Sequence, residues 1–465
     1  MKKKLLSALL CITLVATMLS GCGKGNTKEI TQETVESTTT ENTTAENTTD
    51  KNNDNASSGQ VLEFYHGYFQ DDWQPAVEMR KIYDAFAAEN PNFKPIAIQT
   101  GSDGVAEKVT SEVASGSFPN MVDLAGANAL EAAINADLVL DLKQFIDEDQ
   151  DLLIGVGKTN YTQNNVNGKI YTVRDQIETQ GFWYNESIFI KAGAALPETW
   201  KSWEDFSEAT KKIREAGYVP FILEESSSQR LAGAWMGATA GGRTMLEALP
   251  TEFSTDNLKE TLTALGNEIQ SNGENNISAK GDSYRDDFFK GSPVGTAKVA
   301  MCFNGVWDAG SAASSDFKDD IKPATFPAGD NDASIRFSYS SAGAGLAISN
   351  TLSEEQQELA IKFLKYMMSD EVQTKIITLC EANPASDRID YDSLLADPAT
   401  SEATKKLIEA CKVASTSTYK AKTLNNAWGG DIAKAISDQM LLFPTSSDMK
   451  SSAQEAVEVL NSLIK

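Results

Sequence analysis

The sequence predicts an α/β fold. Segments typical of strands alternate with segments typical of helices from about residue 60 onward, which favours an α/β architecture over an all-α or all-β one. Helices separate the first three strands, and this order is typical of a parallel sheet. The chain has 465 residues, 41% of them hydrophobic, which is enough for two or three domains or for two large lobes.

The first body is predicted to begin with a β-α-β-α-β unit. Strands are expected over residues 61–65, 93–99 and 121–124, and helices over residues 75–88 and 104–115. In the first helix, Met79, Ile82 and Phe86 recur on one face. Ligands of such units bind outside the carboxyl ends of the strands, so we expect residues 66–73 and 123–128 to face a ligand crevice.

A second body follows, and the end of the chain is mostly helical. Its strands are expected over residues 169–173, 181–185, 219–223, 298–303 and 346–348. Ser202, with Asp205 three residues later, predicts a capped helix start. Helices are also predicted to start at Ser353 and Ser369, and the last helix is expected over residues 451–464.

The amino terminus has the features of a secretory signal. Three lysines precede an apolar run over residues 5–19, which is shorter than the roughly 20 residues that a spanning helix needs. The stretch Leu19-Ser20-Gly21-Cys22 resembles a bacterial lipobox, in which Cys22 is acylated and cleavage occurs just before it. We therefore expect a lipoprotein signal peptide at residues 1–21 and a lipid anchor on the outer face of a bacterial cell membrane.

The lipidated cysteine is followed by a segment of biased composition. Residues 23–58 are rich in Thr, Asn and Glu and contain no aromatic side chain. Such a segment buries too little apolar surface to offset the entropy of ordering. We expect residues 22–59 to form the lipidated cysteine and a disordered tether.

Charge and histidine content exclude several kinds of site. The formal charge of −25 argues against nucleic acid, because binding to the phosphate backbone depends on Lys and Arg. His66 is the only histidine, which excludes zinc sites with two imidazoles. No motif for a metal, a nucleotide or another cofactor is found, so none is expected.

Cysteine content does not indicate a disulfide framework. Cys11 would be removed with the signal peptide and Cys22 would be acylated, so three cysteines remain. A folded region of this size does not need disulfide bonds for stability. Cys302 lies in an apolar run and is expected to be buried. Whether Cys380 and Cys411 pair stays open.

Six short motifs occur in a fixed order along the body of the chain. They are NGKIY at 167–171, FWYN at 182–185, AGAALPETW at 192–200, KVAMCFNGVW at 298–307, FLKYMMSDEVQ at 363–373 and NPA at 383–385. Together, and behind a lipobox, they resemble the bacterial extracellular solute-binding proteins of family 1, the carbohydrate-type receptors of ABC importers. Arg174 lies where that family usually has proline, so the family's ligand contacts in this segment cannot be assigned directly to residues of this chain.

The resemblance implies a fold and a set of partners. The fold is the two-lobed, type II periplasmic-binding-protein-like fold, in which crossing strands join two α/β lobes around a ligand cleft. The first part of the first lobe would span residues 60–166, residues 167–348 would form mainly the second lobe, and helical residues 349–465 would complete both. The implied partners are a sugar and the permease subunits of an ABC transporter, with the receptor itself a monomer.

The cleft of a sugar receptor needs flat apolar faces and planar hydrogen-bonding groups. Ten side chains at expected cleft positions meet this need: Tyr65, His66, Trp73, Asp123, Asp175, Glu178, Trp235, Asn304, Trp307 and Trp428. A tryptophan at helical spacing more often packs in a core, and Glu178 suits a structural ion pair equally well. Because aromatic candidates outnumber what a monosaccharide needs, we expect an oligosaccharide.

Other functions are compatible with parts of this pattern. A receptor of the same fold could bind a polyamine or a peptide, since carboxylates and rings are both available. A surface glycosidase would need two carboxylates, such as Asp123 and Glu178, roughly 5 to 9 Å apart. The receptor hypothesis predicts tight binding without turnover, and hence no enzymatic activity.

Overall fold

The computed structural model of the chain describes residues 60–125, 129–253, 255–275, 283–329 and 331–464. The predicted signal peptide, Cys22, the predicted tether and residues 126–128 of the predicted crevice loop lie outside these ranges. No helix within these ranges is both long enough and apolar enough to cross a bilayer. Ser58–Lys465 form one compact unit.

Strands and helices alternate through this unit. The strands are β1 Leu62–His66, β2 Phe93–Ala97, β3 Met121–Asp123, β4 Asn165–Val166, β5 Lys169–Ile170, β6 Glu178–Gln180, β7 Phe182–Asn185, β8 Val219–Leu223, β9 Gly273–Asn275, β10 Val299–Cys302, β11 Ile321–Ala324, β12 Phe326–Pro327, β13 Arg336–Ser341, β14 Leu346–Ile348 and β15 Tyr419–Ala421. The helices are α1 Gln74–Glu89, α2 Gly101–Ala114, α3 Glu131–Asn135, α4 Lys143–Asp147, α5 Gln150–Gln163, α6 Glu186–Ala192, α7 Trp203–Glu215, α8 Glu225–Met236, α9 Ala240–Met245, α10 Thr255–Asn272, α11 Ser283–Phe289, α12 Ala309–Ser314, α13 Glu354–Met367, α14 Asp370–Thr378, α15 Tyr391–Ala396, α16 Glu402–Ser415, α17 Leu424–Trp428, α18 Gly430–Met440 and α19 Met449–Leu463. The predicted α/β class is confirmed.

The first lobe is built on a sheet of strand order β14-β3-β1-β2. β1 is parallel to β2 and β3, as the β-α-β-α-β order predicts, whereas β14 is antiparallel to β3. Side chains alternate across this sheet: Phe64 packs into one hydrophobic cluster and Tyr65 against another. Apolar side chains therefore cover both faces of the sheet, as in doubly wound folds.

The second lobe is built on a sheet of strand order β11-β7-β10-β8-β9. β8 is parallel to β10 and β9, and β7 is antiparallel to β10. Phe182 and Tyr184 point into the larger hydrophobic cluster, and Trp183 points into the cluster on the opposite face. The second sheet is thus also buried on both sides.

Two crossing strands connect the lobes. β6 leads from the first lobe to β7, and β13 leads back toward β14. The two strands pair antiparallel, with Glu178 opposite Ser341 and Gln180 opposite Tyr339. This pairing gives the crossing segments a fixed register. The predicted domain boundaries at residues 166 and 348 stay predictions.

Local signals for helices agree with the structure. The buried face of α1 includes Met79, Ile82 and Phe86, and Pro75 lies in its first turn. Ser202 and Asp205 form the predicted capping box of α7. Ser353 caps α13 in the same way.

Two expectations are corrected or resolved. The strand predicted over residues 169–173 ends at Ile170, because it only closes a hairpin with β4 through the positive-φ residues Asn167 and Gly168. Beyond it, Val173 makes a single bridge to Leu346. All three described cysteines are buried and free, so Cys380 and Cys411 are not paired.

Candidate functional site

The candidate site lies along β6, next to the carboxyl ends of parallel strands. Ligands of open α/β sheets bind outside these ends, which here belong to β1 and β3 in the first sheet and to β8 and β10 in the second. α8 and the loop after β10 both reach β6: Arg230 donates to Gln180, and Gln180 bridges Gly305. β6 is therefore part of the wall of the cleft.

Two cavities meet at a hydrogen bond in this region. The larger, of about 370 Å³, is lined by α3, the turn Gly343–Ala344, Lys422 and Asn426 among others. The smaller, of about 50 Å³, is lined by Glu178, Gln180, Ser226, Gln229, Arg230, Tyr339, Thr423, Leu424 and Asn425. Asn426 borders the larger cavity and donates to Glu178, which borders the smaller one, at 2.9 Å. β6 itself lines the smaller cavity, and this hydrogen bond joins it to the border of the larger one.

Hydrogen-bond donors from several elements surround Glu178. Its Oε2 accepts from Asn426 at 2.9 Å and from Thr423 at 3.4 Å. Its Oε1 accepts from the Gln180 amide at 2.6 Å, and Gln180 in turn accepts from the Arg230 guanidinium at 2.9 Å. A chain of hydrogen bonds therefore links α17, β6 and α8. The predicted position of Glu178 in the cleft agrees with this geometry, although its role in binding stays a prediction.

Trp307 lies at the opposite end of this chain. The Arg230 guanidinium sits 5.5 Å from the centroid of its ring, within the range of a cation–π contact. A Cβ atom on Gly305 would fall only 2.3 Å from the ring, so the indole lies directly over this glycine. The side chain nevertheless stays 38% exposed. It offers an apolar surface beside groups that form hydrogen bonds.

Behind Trp307 lies a buried polar group of three residues. Asp308 is fully buried, forms an ion pair with Arg285 and accepts from the Asn304 amide at 2.7 Å. Burial raises the pKa of Asp308 to about 6, although the Arg285 guanidinium opposes the rise. Asn304 is 3% exposed, and its Oδ1 atom is buried without a hydrogen-bond partner. An unused buried acceptor is unusual in a folded protein.

Two of the predicted tryptophans lie in the core of the second lobe. Trp235 stacks on Trp203 with ring centroids 4.2 Å apart. Trp428 donates from Nε1 to the Met245 carbonyl and packs edge-on against Phe253. Both rings belong to the large hydrophobic cluster and are buried, unlike the exposed ring of Trp307. The structure thus gives both a packing role and does not bring them to the site.

Trp73 is the other exposed candidate. It is 49% exposed at the start of α1 and stacks on Tyr68 with centroids 6.4 Å apart. Tyr68 accepts a hydrogen bond from Gln176, which lies two residues before Glu178. Tyr68 therefore lies between Trp73 and the segment that enters β6.

Asp123 and Asp175 form a buried acidic pair in the first lobe. Asp123 accepts from the Ala125 amide at 2.8 Å and is close to the Tyr83 hydroxyl, whereas neither carboxylate oxygen of Asp175 has a partner. Burial raises the pKa of Asp175 to about 7, and the charge of Asp123 adds to the rise. Burial also raises the pKa of Asp123, opposed by the Arg174 guanidinium. The pair lies below the surface and lines neither cavity.

His66 and Tyr65 are placed away from the cavities. The His66 ring is buried among Phe64, Tyr68 and Tyr83, and burial lowers its pKa to about 4. Tyr65 donates to Glu63 on the same strand and lies under the Lys108 ammonium. The contacts of His66 and Tyr65 are therefore those of residues that pack within the first lobe. Within the described ranges, no three His, Cys, Asp or Glu side chains group to hold a metal ion.

Sequence reasoning missed Arg230 and Gln180. Arg230 lies on α8, the helix that follows β8. Its position after a strand end could have made it a candidate, but the prediction on this helix was Trp235, one turn later. Gln180 is a polar residue in a strand of three residues, and nothing in the local sequence marks it as a binding residue. Its role follows only from the pairing of β6 with β13.

A larger cavity lies elsewhere in the described residues. It measures about 670 Å³ and is lined by β11, α16 and Arg336 among others. It flanks the edge of the second sheet instead of the ends of parallel strands. Arg336 is already bonded to the carbonyls of Trp200 and Thr325. For these reasons the smaller cavities around β6 are the better candidates.

Comparison with known proteins agrees with the architecture. Residues 72–374 match the family model described as bacterial extracellular solute-binding protein. The chain is 24% identical over 326 residues to a multiple sugar-binding protein of Streptococcus mutans, covering 66% of this chain and 72% of that protein.

The chain is also similar to solved structures of solute-binding proteins. A solute-binding protein of Streptococcus pneumoniae in complex with the blood group A-trisaccharide is 36% identical, with a TM-score of 0.73, over 87% of this chain and 100% of the other. The raffinose complex of RafE, a Streptococcus pneumoniae protein, is 18% identical, with a TM-score of 0.64, over 88% of this chain and 100% of the other. The second likeness shows the fold alone.

Proposed function

The chain belongs to the family of bacterial extracellular solute-binding proteins, and from this premise we propose that it binds an oligosaccharide in the cleft along β6 and delivers it to the permease of an ABC importer. The relatives named above bind sugars, which supports a sugar as the solute. Delivery to a permease follows from the family.

The observation that carries the proposal is the exposed ring of Trp307 beside a hydrogen-bonded network. Sugar rings pack their C–H faces on aromatic surfaces and place their hydroxyls against planar polar groups. Trp307 provides the surface, and Arg230, Gln180 and Glu178 provide the polar groups. A neutral polyol suits this mixture of donors and acceptors.

The distribution of tryptophan favours a ligand of more than one ring. Of the seven tryptophans, only Trp73 and Trp307 are substantially exposed. One belongs to the first lobe and the other to the second. A ligand that stacks on both needs at least two sugar rings.

We further propose that the protein binds without catalysis. A glycosidase needs two carboxylates that face the substrate. Asp123 is fully buried and lines neither cavity, and Glu178 already accepts from Gln180, Thr423 and Asn426. Cleavage of a labelled glycan by the purified protein would contradict this part of the proposal.

The lipobox supports an extracytoplasmic, membrane-anchored location. Acylation of Cys22 would hold the receptor at the outer face of the cell membrane, with residues 23–59 as a tether. Replacing Cys22 with serine should release the protein into the medium. The receptor would act as a monomer, which light scattering can check.

A thermal-shift screen tests the binding function. A ligand that binds only the native state adds about 2.7 kcal/mol at a hundred times its dissociation constant. We expect an upward shift with oligosaccharides, such as the blood group A-trisaccharide or raffinose, and none with polyamines or short peptides. Trp307→Ala should abolish the shift, whereas Ile190→Ala, at a 66% exposed position on α6, should keep it. A shift with a polyamine or peptide alone would overturn the sugar assignment.

A further inference from the structure

Asn304 carries an acceptor that no protein group uses. Its Oδ1 atom is buried and has no hydrogen-bond partner, although a buried carbonyl without a partner is costly. The residue follows β10 at the carboxyl end of the second sheet and lies three positions before Trp307. A donor from outside the protein would satisfy this oxygen.

Asp308 determines which end of the Asn304 amide stays free. An ionised carboxylate only accepts hydrogen bonds, so the amide must turn its NH2 group toward Asp308, and the observed distance is 2.7 Å. Arg285 pairs with the other carboxylate oxygen and holds it in place. Both carboxylate oxygens of Asp308 are thus already occupied, and only Asn304 Oδ1 is left to accept from a ligand.

We propose that Asp308 is a positioning residue for solute binding: held by Arg285, it orients the Asn304 amide so that Oδ1 accepts a hydrogen bond from a hydroxyl group of the sugar. The inference rests on the proposed function and deepens it. It assigns one recognition point of the ligand, a ring hydroxyl that donates next to the stacking face of Trp307.

Protonation of Asp308 should weaken binding. A neutral carboxyl group has an O–H that donates to Asn304 Oδ1, so the amide can turn and the acceptor is lost. The charged and titratable groups that act on Asp308 are Arg285, Arg230, Tyr284 and Cys302. Burial outweighs the two cations and raises the pKa of Asp308 to about 6. The affinity for sugar should therefore be constant above about pH 7 and about tenfold lower at pH 5.

Calorimetric titration of the full chain between pH 5 and 8 tests this dependence. The probe is the blood group A-trisaccharide, with raffinose as the second sugar. Asp308→Asn should remove the fall in affinity at low pH, and Asn304→Ala should weaken binding about tenfold at pH 7.5. The double variant should bind no more weakly than Asn304→Ala alone, because Asp308 acts through Asn304. Asp319→Asn, at an exposed position, is the control and should keep the wild-type profile.

Two results would overturn the inference. One is a folded Asp308→Asn protein that keeps the wild-type pH profile. The other is a double variant whose losses add, since this would mean that Asp308 and Asn304 act independently.

A second measurement needs no ligand. The side-chain 15N resonance of Asn304 in the unliganded wild-type protein should titrate between pH 5 and 8, following Asp308. A resonance that does not move overturns the inference even when Asp308→Asn fails to fold. If the thermal-shift screen finds a polyamine or peptide and no sugar, the proposed function fails, and this titration alone decides whether Asp308 orients Asn304.

Discussion

At the scale of single residues, position in the fold separates side chains of the same type. Trp235 and Trp307 were equal candidates in the sequence, but one stacks on Trp203 in the core and the other stays 38% exposed beside Arg230. The aspartates divide in a similar way. The carboxylate of Asp175 accepts no hydrogen bond, whereas that of Asp308 forms an ion pair with Arg285 and accepts a hydrogen bond from the Asn304 amide.

The position of Trp307 depends on Gly305. An alanine there would place its Cβ 2.3 Å from the indole and displace the ring. We expect Gly305→Ala to lower sugar affinity at least tenfold and to shift the tryptophan emission spectrum, with a small effect on the melting temperature. Gly430→Ala is the matched control, because nothing lies within 4 Å of the new methyl group. Unchanged affinity in Gly305→Ala would mean that Trp307 does not contact the sugar.

The buried pair in the first lobe should make stability depend on pH. The pKa of Asp175 is raised to about 7, above the value of about 3.9 in an unfolded chain, so the native state binds the extra proton. Stability should fall as pH rises from about 4 through 7. His66, with its pKa lowered to about 4, acts in the opposite direction below about pH 6.5. The contributions of Asp175 and His66 partly cancel in acid, and Asp308, with its pKa raised to about 6, acts in the same direction as Asp175.

Asp175→Asn isolates this contribution. Relative to the wild type, the variant should gain on the order of 2 to 3 kcal/mol of stability between pH 5 and 8, measured by urea unfolding at each pH. Asp84→Asn, at an exposed position on α1, is the control and should keep the wild-type trend. If the wild type and Asp175→Asn stay parallel over this range, Asp175 is ionised in the native state throughout.

At the scale of elements, α8 links the site to the crossing strands. Arg230 points to β6 from this helix, and Tyr339 of β13 donates to the Arg230 carbonyl at 2.6 Å. The helix lies close to β13 because Gly233 leaves room for the Tyr339 ring. Packing of α8 on β13 thus sets the distance from Arg230 to Gln180 and to Trp307.

Gly233→Ala should disturb this packing. The new Cβ would lie 2.3 Å from the Tyr339 hydroxyl, and overpacking of this kind costs about 1 to 3 kcal/mol. The free energy of unfolding should fall by this amount. Adding Tyr339→Phe removes the clashing oxygen and should restore part of the loss. A double variant less stable than the sum of both single changes would contradict this account.

At the scale of the whole molecule, the two lobes share helices as well as crossing strands. Ile376 and Ile377 are neighbours on α14, but the first packs into the core of the first lobe and the second into a cluster of the second lobe. Loss of one core therefore exposes part of the other. We expect the lobes to unfold together.

The buried cysteines can report on this coupling. Cys380 lies in the core of the first lobe, and Cys302 and Cys411 lie in a cluster of the second. All three are free and should resist alkylation in the native state. During heating, mass spectrometry should find the three thiols alkylated with one common midpoint. Separate midpoints for Cys380 and Cys302 would show that the lobes unfold independently.

The class of fold and most of the regular elements are predictable from the amino-acid sequence. The periodicity of α1, the capping box of α7 and the β-α-β-α-β order are local or nearly local patterns, and all three are confirmed. Position after a strand also made Trp307 and Asn304 candidates for the site, and their roles in binding stay predictions. The predictions of the elements are confirmed because backbone geometry turns short-range patterns into defined elements.

Which of the candidate side chains contact one another depends on long-range packing. Gln180 and Arg230 come together because β6 pairs with β13 and α8 packs on that strand. No local sequence pattern predicts either contact. Burial of Trp235 and Trp428, and the unpaired acceptor of Asn304, likewise depend on neighbours distant in sequence. Packing and hydrogen bonding between remote segments decide these features, and a single sequence does not reveal such pairings.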